Sequence, residues 1–472
     1  MIEKIAADLC IIGAGSAGLS LAAGAAQLGR KVVLIEKGEM GGDCLNYGCV
    51  PSKALIAAAE HAEAIRKGKQ FGVSASEPVV DFAAVIDHVH KVIAAIAPHD
   101  SVERFEGFGV RVIRARAEFT GPRSVRAGDT EIAAKHFVIA TGSSPVAPPI
   151  PGLAGTAYFT NETIFENRTQ PAHLIVIGGG PIGTELAQAH RRLGSAVTII
   201  DGQTILNRED ADAVAIVRQR LISEGVVIRE NVKIERVDPA LSGIAVTLST
   251  GEKIEGSHLL VAVGRRANLD SLGLEKAGVE RNERGALVLD RRLRTTNTRI
   301  YAAGDAAGGP QFTHLAGDHA STLVRNILFK TPAARRDHLS PRATYCDPQI
   351  AGVGLSEAEA KAAHPDSKTV RWALTENDRA QAERDTGGFI KVFVRKNGRL
   401  LGASIVGAGA GDEIALWSFA LANRLKIAAL TSYIAPYPTR GEISKRAGGA
   451  FYTPTLFSDR TRALVKLLAS FD

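Results

Sequence analysis

The chain has 472 residues, of which 45% are hydrophobic and 23% are charged, a composition typical of a globular protein with several cores. Its net charge of +7 is mild for this length and is spread along the chain, so it does not indicate a nucleic-acid partner. Four cysteines are too few for a disulfide-stapled secreted scaffold, and glycines interrupt the apolar stretch 9–28; we therefore expect a cytoplasmic protein without a membrane segment.

An internal repeat organises the first half of the sequence. Residues 9–36 read LCIIGAGSAGLSLAAGAAQLGRKVVLIE, and residues 174–201 read LIVIGGGPIGTELAQAHRRLGSAVTIID. Each copy predicts an apolar strand, a Gly-x-Gly-x-x-Gly turn, an amphipathic helix, and a second strand that ends in an acid. The matching residues are Gly13, Gly15, Gly18 and Glu36 in the first copy and Gly178, Gly180, Gly183 and Asp201 in the second.

This pattern is the strand–helix–strand fingerprint of dinucleotide binding. The first glycine allows a tight turn, the second lets the backbone approach a pyrophosphate, and the third lets helix and strand pack closely. The pyrophosphate lies at the helix N-terminus, where free N–H groups favour an anion, and the acid accepts from ribose hydroxyls. Two complete copies predict two dinucleotide sites, between which electrons would pass.

Two cysteines lie close together between the copies, in the stretch GGDCLNYGCVPSK at 41–53. No second cysteine or histidine pair follows to complete a zinc site, so we expect no metal. A helix is predicted to begin near Pro51, which puts Cys49 just before its N-terminus and Lys53 one turn inside; both features lower a thiol pKa. Cys44 and Cys49 therefore predict a reversible dithiol, and two buried free cysteines are the alternative.

Proline-rich stretches mark the predicted boundaries. Residues 142–152 contain four prolines, which are incompatible with a helix or a central strand, and residues 331–348 contain three more. The region beyond alternates strand-like runs with helical ones, which indicates an α+β domain. The runs are 389–395 and 400–406 for strands and 412–425 and 459–468 for helices.

The cysteine stretch resembles the redox-disulfide signature of the pyridine nucleotide–disulfide oxidoreductases, the family of dihydrolipoamide dehydrogenase, glutathione reductase and mercuric reductase. FVIATGSSP at 137–145, VAVGRRAN at 261–268 and TTNTRIYAAGD at 295–305 resemble further motifs of the family in order and spacing. The resemblance covers nearly the whole chain. It implies an α/β fold with two Rossmann-like domains and a C-terminal α+β dimerisation domain. The implied bounds are 1–150 with 266–335 for FAD, 151–265 for NAD(P), and 336–472 for dimerisation.

By this resemblance the first fingerprint holds FAD, with its glycines at the pyrophosphate and Glu36 on the adenosine ribose. Asp305 would bind the ribityl–phosphate region, and the helix after Gln311 would point its N-terminus at the flavin. Thr141, Gly142 and Gly264 belong to the motifs around the cofactors. His314 would approach the flavin, and a structural role is an equal alternative.

The resemblance also assigns the reacting groups. Cys49 would be the thiol beside the flavin, which forms the charge-transfer complex, and Cys44 would meet the acceptor. Lys53 and Glu185 would pair near flavin N5. The family builds each site from two subunits, so a homodimer is expected.

The nicotinamide nucleotide is assigned to the second fingerprint. A carboxylate at Asp201 accepts from the 2′-OH of NADH and repels the 2′-phosphate of NADPH, so NADH is favoured. NADP(H) stays open because Arg191, Arg192 and Arg208 are close enough in sequence to attract that phosphate.

The C-terminal segment APYPTRGEIS at 435–444 departs from the family's His-Pro-Thr-x-x-Glu pattern. Glu442 matches, but Tyr437 stands where the acid–base histidine should be, and no histidine follows His364. A tyrosine, with an ordinary pKa of ~10, is a poor base at neutral pH. In a dimer Tyr437 and Glu442 would face Cys44 of the partner subunit.

The acceptor is therefore predicted only as a small disulfide or another thiol-reactive molecule. A mercuric or other metal-ion reductase is one alternative, since a tyrosine at this place resembles mercuric reductase. However, the last cysteine is Cys346, so the C-terminal cysteine pair of those enzymes is missing. A nucleotide-binding redox sensor with little turnover is the other alternative. Cys10 and Cys346 are predicted to be buried packing residues.

Overall fold

The computed structural model describes residues 2–241 and 243–471. The chain forms two compact units. The first comprises the residues up to Gly202 together with Val226–Asp337, and the second comprises Gln203–Gly225 and the residues from His338 onward. Within the described ranges, no helix is both long and apolar enough to cross a membrane.

The first unit is built on a seven-stranded sheet in the order β3-β2-β1-β6-β5-β4, with β16 paired to β6. The strands β3, β2, β1, β6 and β16 run parallel, and β5 and β4 continue the sheet antiparallel. The bounds are β1 Glu3–Ile12, β2 Val32–Glu36, β3 Arg111–Arg114, β4 Ala117–Gly121, β5 Ser124–Ala127, β6 Thr130–Ile139 and β16 Ile300–Ala302. Its central strands are buried on both faces, and Cys10 is fully buried in β1, as predicted.

Three smaller sheets complete the strands of this unit. A parallel sheet has the order β10-β9-β8-β14, an antiparallel sheet has the order β11-β12-β13, and β15 pairs with β7. The bounds are β7 Ser143–Pro145, β8 His173–Ile177, β9 Ala196–Ile200, β10 Val226–Arg229, β11 Ile234–Ala240, β12 Gly243–Leu248, β13 Lys253–Gly256, β14 His258–Val261 and β15 Arg265–Ala267.

The helices of the first unit connect these strands. Helix α1 joins the parallel strands β1 and β2, and α6 joins the parallel strands β8 and β9. The bounds are α1 Ser16–Gln27, α2 Gly42–Asn46, α3 Cys49–Lys67, α4 Phe82–Ile96, α5 Val102–Gly107, α6 Pro181–Arg192 and α8 Thr313–Leu323. The sequence repeat thus corresponds to two strand–helix–strand units, as its pattern predicted.

The second unit is an α+β structure with one antiparallel sheet in the order β17-β18-β21-β20-β19. Its strands are β17 Arg342–Thr344, β18 Gln349–Gly354, β19 Lys368–Ala373, β20 Phe389–Val394 and β21 Leu400–Gly407. Its helices are α7 Ala211–Ser223, α9 Glu357–Ala363, α10 Asp378–Ala382, α11 Ala410–Ala422, α12 Ala429–Ser432, α13 Glu442–Ala450, α14 Thr453–Leu456 and α15 Asp459–Leu468. The predicted strands and helices of this region are all present, within two or three residues of the expected bounds.

Two interactions show how α7 is held within the second unit. Lys391 on β20 is almost fully buried, and its Nζ lies 2.9 Å from Asp210 and 2.7 Å from Asp212. Arg342 on β17 donates to both carboxylate oxygens of Glu209 at 3.0 Å. Because a buried charge is stable only when paired, these contacts fix the N-terminus of α7 against the sheet.

The packing of α1 generates a test on two glycines of the same helix. A Cβ on Gly18 would lie 1.9 Å from the Gly13 carbonyl oxygen, whereas a Cβ on Gly24 would make only ordinary contact with Val324 at 3.5 Å. Gly18→Ala should therefore destabilise the protein by about 2 kcal/mol or more. Gly24→Ala should stabilise it by about 0.5–1 kcal/mol, because alanine favours a helix interior. Urea unfolding of both variants checks this, and equal effects would contradict the packing described.

Candidate active site

The two glycine turns have nearly the same geometry. The first glycine of each is left-handed, with φ +110° at Gly13 and +106° at Gly178. A Cβ there would lie 2.2 Å from the Ala140 carbonyl oxygen in the first turn and 2.4 Å from that of Ala262 in the second. No other residue can occupy these positions without moving the neighbouring strand.

The second glycine of each turn leaves the helix N-terminus approachable. A Cβ on Gly15 would meet only the Gly42 Cα, at 3.9 Å, and one on Gly180 would meet no described heavy atom within 4 Å. These glycines cap α1 and α6, and neither cap includes a side-chain hydrogen bond among the described residues. Free N–H groups beside a surface without side chains suit the pyrophosphate of a dinucleotide, so both turns fit such a ligand.

The acid that ends each second strand is bonded to its own turn. Glu36 accepts from the amide of Ala14 at 2.6 Å, and Asp201 accepts from the amide of Gly179 at 2.6 Å. Ala14 and Gly179 occupy equivalent positions of the repeat. Each carboxylate is therefore fixed beside the glycine turn, with further acceptor capacity for a ribose hydroxyl.

The two cysteines lie in consecutive helices. Cys44 lies in the short helix α2, and Cys49 is the first residue of α3, after Gly48. The helix begins near Pro51, as predicted, but Cys49 is its first residue and not the residue before it. The first helical bond runs from the Ser52 amide to the Gly48 carbonyl, and Pro51 fits inside the first turn because no N–H is needed there.

The two thiols differ sharply in acidity. The pKa of Cys49 is lowered to about 6, first by a hydrogen bond from Cys44 and further by Thr313 and by the charge of Lys53, against the opposing effect of burial. The pKa of Cys44 is raised well above its ordinary value, first by the same hydrogen bond and then by burial. At neutral pH the pair therefore consists of a Cys49 thiolate and a Cys44 thiol that donates to it.

Thr313 is a site residue that sequence reasoning missed. The Thr313 hydroxyl lies 3.4 Å from the Cys49 sulfur, and Thr313 is the first residue of helix α8. Because its chain position is 264 residues from Cys49, only the fold brings the two together. The N-terminus of α8 had been predicted to face the flavin, and a threonine there can donate to a thiolate.

Lys53 and Glu185 form an ion pair across α3 and α6. The Lys53 Nζ lies 2.8 Å from Glu185 Oε2, and the glutamate side chain is only 6% exposed. A carboxylate so buried requires a cation, so the pair fixes both side chains.

A second polar network links Asp43 on α2 to Asp305, and no pattern in the sequence marked it. Arg265 donates to Asp43 at 2.8 Å, to Asn161 at 3.0 Å and to the Ser143 hydroxyl at 2.8 Å. Ser143 in turn donates to Asp305 at 2.5 Å. Burial raises the pKa of Asp305, while Ser143 and Arg265 oppose that shift.

The remaining predicted cofactor residues lie around this network. The Thr141 hydroxyl donates to the Asn268 carbonyl at 2.6 Å, and the Gly142 carbonyl accepts from the Asn268 amide. The Gly264 carbonyl accepts from the Val146 amide at 3.0 Å. His314 is exposed on α8 and stacks on Phe312, with ring centroids 5.1 Å apart.

Tyr437 and Glu442 lie in the second unit and bond to different partners. The Tyr437 hydroxyl donates to Asp378 at 2.8 Å, and this contact raises the tyrosine pKa. Glu442 pairs with Arg446 at 2.9 Å. The side chain of Tyr437 is 68% exposed. Neither Asp378 nor Arg446 was identified from the sequence, because nothing in the pattern marked them.

Comparison with sequence families gives two matches that together cover most of the chain. Residues 7–320 match the family described as pyridine nucleotide-disulphide oxidoreductase. Residues 340–447 match the dimerisation domain of the same family. The second match supports a homodimer.

Relatives of this chain include mercuric reductases and dihydrolipoyl dehydrogenases. A mercuric reductase of Streptomyces lividans is 36% identical over 455 residues, covering 94% of this chain and 96% of its own. A dihydrolipoyl dehydrogenase of Geobacillus stearothermophilus is 34% identical over 454 residues, with the same coverage.

Two solved structures superpose on nearly the whole chain. LpdA of Mycobacterium tuberculosis superposes with a TM-score of 0.87 at 28% identity, over 94% of this chain and 99% of its own. The Cu(II) complex of the HOCl-induced flavoprotein disulfide reductase RclA of Escherichia coli has a TM-score of 0.84 at 30% identity, over 93% and 99%.

The thiol arrangement generates a prediction for Cys49. Replacing Cys44 by alanine removes the hydrogen bond that lowers the Cys49 pKa most, so that pKa should rise well above 6. Cys44→Ser keeps a hydroxyl donor and should raise it less, and Thr313→Val should also raise it. The pH dependence of iodoacetamide alkylation measures each value, since Cys10 and Cys346 are buried. Identical profiles for Cys44→Ala and Cys44→Ser would contradict the assigned donor.

Proposed function

Because this chain belongs to the pyridine nucleotide-disulphide oxidoreductase family, we propose that it uses NAD(P)H to reduce a small disulfide or another thiol-reactive acceptor at Cys44. The family consists of flavoprotein oxidoreductases that act on NAD(P)H, so the alternative of a redox sensor with little turnover is not pursued.

The cofactors of this family are FAD and NAD(P)H, and the two glycine turns fit one dinucleotide each. We assign FAD to the turn of Gly13, Gly15 and Gly18, with Asp305 on its ribityl–phosphate region. Bound there, FAD would supply a two-electron relay between the nicotinamide and the Cys44–Cys49 disulfide. Lys53 and Glu185 hold α3 and α6 together beside that path.

The proposal rests on the unequal acidity of the two thiols: the pKa of Cys49 is lowered to about 6 and that of Cys44 is raised, so we assign the proton of the reduced pair to Cys44. A thiolate at Cys49 is stabilised by three separate groups, so it persists at neutral pH. We assign Cys44, which keeps its proton in the reduced pair, as the thiol that meets the acceptor.

Proton transfer at Cys44 is where this protein differs from the histidine pattern of its family. Tyr437 takes the place of the histidine in sequence, and its hydroxyl donates to Asp378. Because that contact raises the tyrosine pKa, Tyr437 does not serve as a base near neutral pH. Oxidation of a free dithiol such as dihydrolipoamide, which requires loss of thiol protons, should therefore be slow.

A soft metal ion is the second candidate acceptor, and the protonated Cys44 favours it. A soft cation displaces the proton of a thiol on binding, so it needs no base. The reaction then balances as NADH plus Hg(II) giving NAD⁺, metallic mercury and one proton. Relatives named mercuric reductase support this candidate. No cysteine follows Cys346 in the sequence, so a metal ion would have to reach Cys44 and Cys49 without the C-terminal cysteine pair of mercuric reductases.

The dimer and the location complete the proposal. Since the dimerisation domain supports a homodimer, we propose that Tyr437 and Glu442 face Cys44 of the partner subunit. A cytoplasmic location follows from the need of a dithiol for a reducing compartment, and it stays a prediction. So do the bounds of the FAD, NAD(P) and dimerisation domains.

The first test compares acceptors with the purified enzyme. NADH oxidation should be slow with lipoamide and should accelerate with Hg(II), with metallic mercury as the product. Tyr437→His should raise dihydrolipoamide turnover by about tenfold or more, because a general base is restored. Tyr437→Phe, the matched control, should leave that rate near wild type. Fast lipoamide turnover by the wild-type enzyme would refute the assignment of Tyr437.

The second test concerns the nicotinamide. We expect kcat/KM to favour NADH, because the Asp201 carboxylate repels a 2′-phosphate. Asp201→Asn should lower the ratio of kcat/KM for NADH to kcat/KM for NADPH by about tenfold. This corresponds to a loss of about 1.4 kcal/mol of discrimination between the two nucleotides. Glu36→Gln, at the equivalent place in the first turn, should preserve the ratio even where FAD binding weakens. A wild-type preference for NADPH would overturn the assignment.

A further inference from the structure

His319 on α8 is a buried histidine that the proposed chemistry does not use. Its side chain is 1% exposed, and both ring nitrogens have partners. The Gly304 amide donates to Nδ1 at 3.2 Å, and Nε2 lies 3.1 Å from Asp337 Oδ1. An amide can only donate, so Nδ1 carries the lone pair and Nε2 carries the proton that Asp337 accepts.

Asp337 connects His319 to Arg335, and both of these residues contact the turn from Gly304 to Gly308. Arg335 donates to Asp337 through Nε at 2.8 Å and through a second guanidinium nitrogen. The same guanidinium donates to the carbonyls of Ala307, at 3.4 Å, and Gly308, at 3.1 Å. Burial would raise the pKa of Asp337, but the bonds from His319 and Arg335 outweigh it and lower that pKa.

The three side chains thus hold both ends of one short turn. The turn runs from Gly304 to Gly308, and both of these glycines are left-handed, with φ +62° and +70°. His319 holds the first amide of the turn, and Arg335 holds its last carbonyls. Arg335 and Asp337 carry opposite charges, which offset each other beside the buried His319 ring.

We propose that His319, Asp337 and Arg335 form a clasp that positions Asp305 for FAD, which makes His319 a positioning residue of the cofactor site. Asp305 lies inside the clasped turn, and its carboxylate accepts from Ser143 on the opposite side. The direction of that carboxylate depends on the backbone of Gly304, which a lost Nδ1 contact would release. This inference rests on the proposed assignment of Asp305 to FAD.

Two amide substitutions separate the two contacts of His319. In His319→Asn the side-chain oxygen takes the place of Nδ1 and can still accept from Gly304. In His319→Gln the longer side chain reaches the place of Nε2, so it keeps Asp337 but leaves the Gly304 amide without its partner. The rate of FAD release from the holoenzyme, followed by the fluorescence of free flavin, reports the clasp without any turnover.

We expect His319→Gln to release FAD about tenfold faster than the wild-type protein, because a buried amide loses its acceptor. His319→Asn should stay within about threefold of wild type. His190→Leu is the matched control, since His190 is 1% exposed and its Nδ1 contacts the Leu186 carbonyl at 2.8 Å. It should lower Tm but leave FAD release unchanged.

The remaining outcomes each overturn the clasp. Equal release from His319→Asn and His319→Gln would mean that His319 acts by packing alone. Release of FAD from His319→Gln at the wild-type rate would mean that the contact between His319 and Gly304 does not help to retain FAD. A wild-type protein that contains no flavin and takes up none would overturn the assigned FAD site itself, and with it this inference.

Discussion

The structure depends first on a steric constraint: at two places the chain comes so close to itself that no side chain fits. At Gly18 and Gly183 a Cβ would lie 1.9 Å from the carbonyl oxygen of the first glycine of the same turn. That closeness sets each helix directly over its parallel strands, so the helix N-terminus opens at the strand ends, where a pyrophosphate binds. The carboxylates of Glu36 and Asp201 then hold each turn in place through one short hydrogen bond from an amide. Two dinucleotide sites in one chain follow from repetition of this single geometry.

Between the two turns, the reacting pair obtains its asymmetry from a single hydrogen bond. Two cysteines in equivalent surroundings would have similar pKa values, and neither would be the preferred thiolate. Here Cys44 donates to Cys49, which lowers one pKa and raises the other. The helix N-terminus, Lys53 and Thr313 all act in the same direction on Cys49. The arrangement stores the negative charge on the sulfur at the start of α3 and leaves the proton on the sulfur assigned to the acceptor.

The fold and the centre of the site were largely predictable from the sequence, because both are encoded locally. The glycine spacing, the terminal acids and the cysteine pair each lie within a short stretch, and the predicted C-terminal strands and helices are also local patterns. What the sequence did not reveal are contacts between distant segments. Thr313 meets Cys49, Arg265 meets Asp43, and Asp378 meets Tyr437, and no periodicity or spacing marks any of these partners. The helix α3 begins two residues before Pro51, because Gly48 caps it and Cys49 is its first residue.

Under the proposed function, the presence of Tyr437 in place of the family's histidine changes which acceptors the enzyme can serve. A base is needed where a thiol must lose its proton before it reacts, as in the oxidation of a dithiol substrate. The contact between Tyr437 and Asp378 removes that possibility, since a neighbouring carboxylate raises the pKa of the phenol. An acceptor that displaces the thiol proton itself escapes this requirement, and soft metal ions have that property. Under the proposed function, the transfer of electrons to Cys44 and Cys49 therefore ends in a different reaction, because Tyr437 is a poor base near neutral pH.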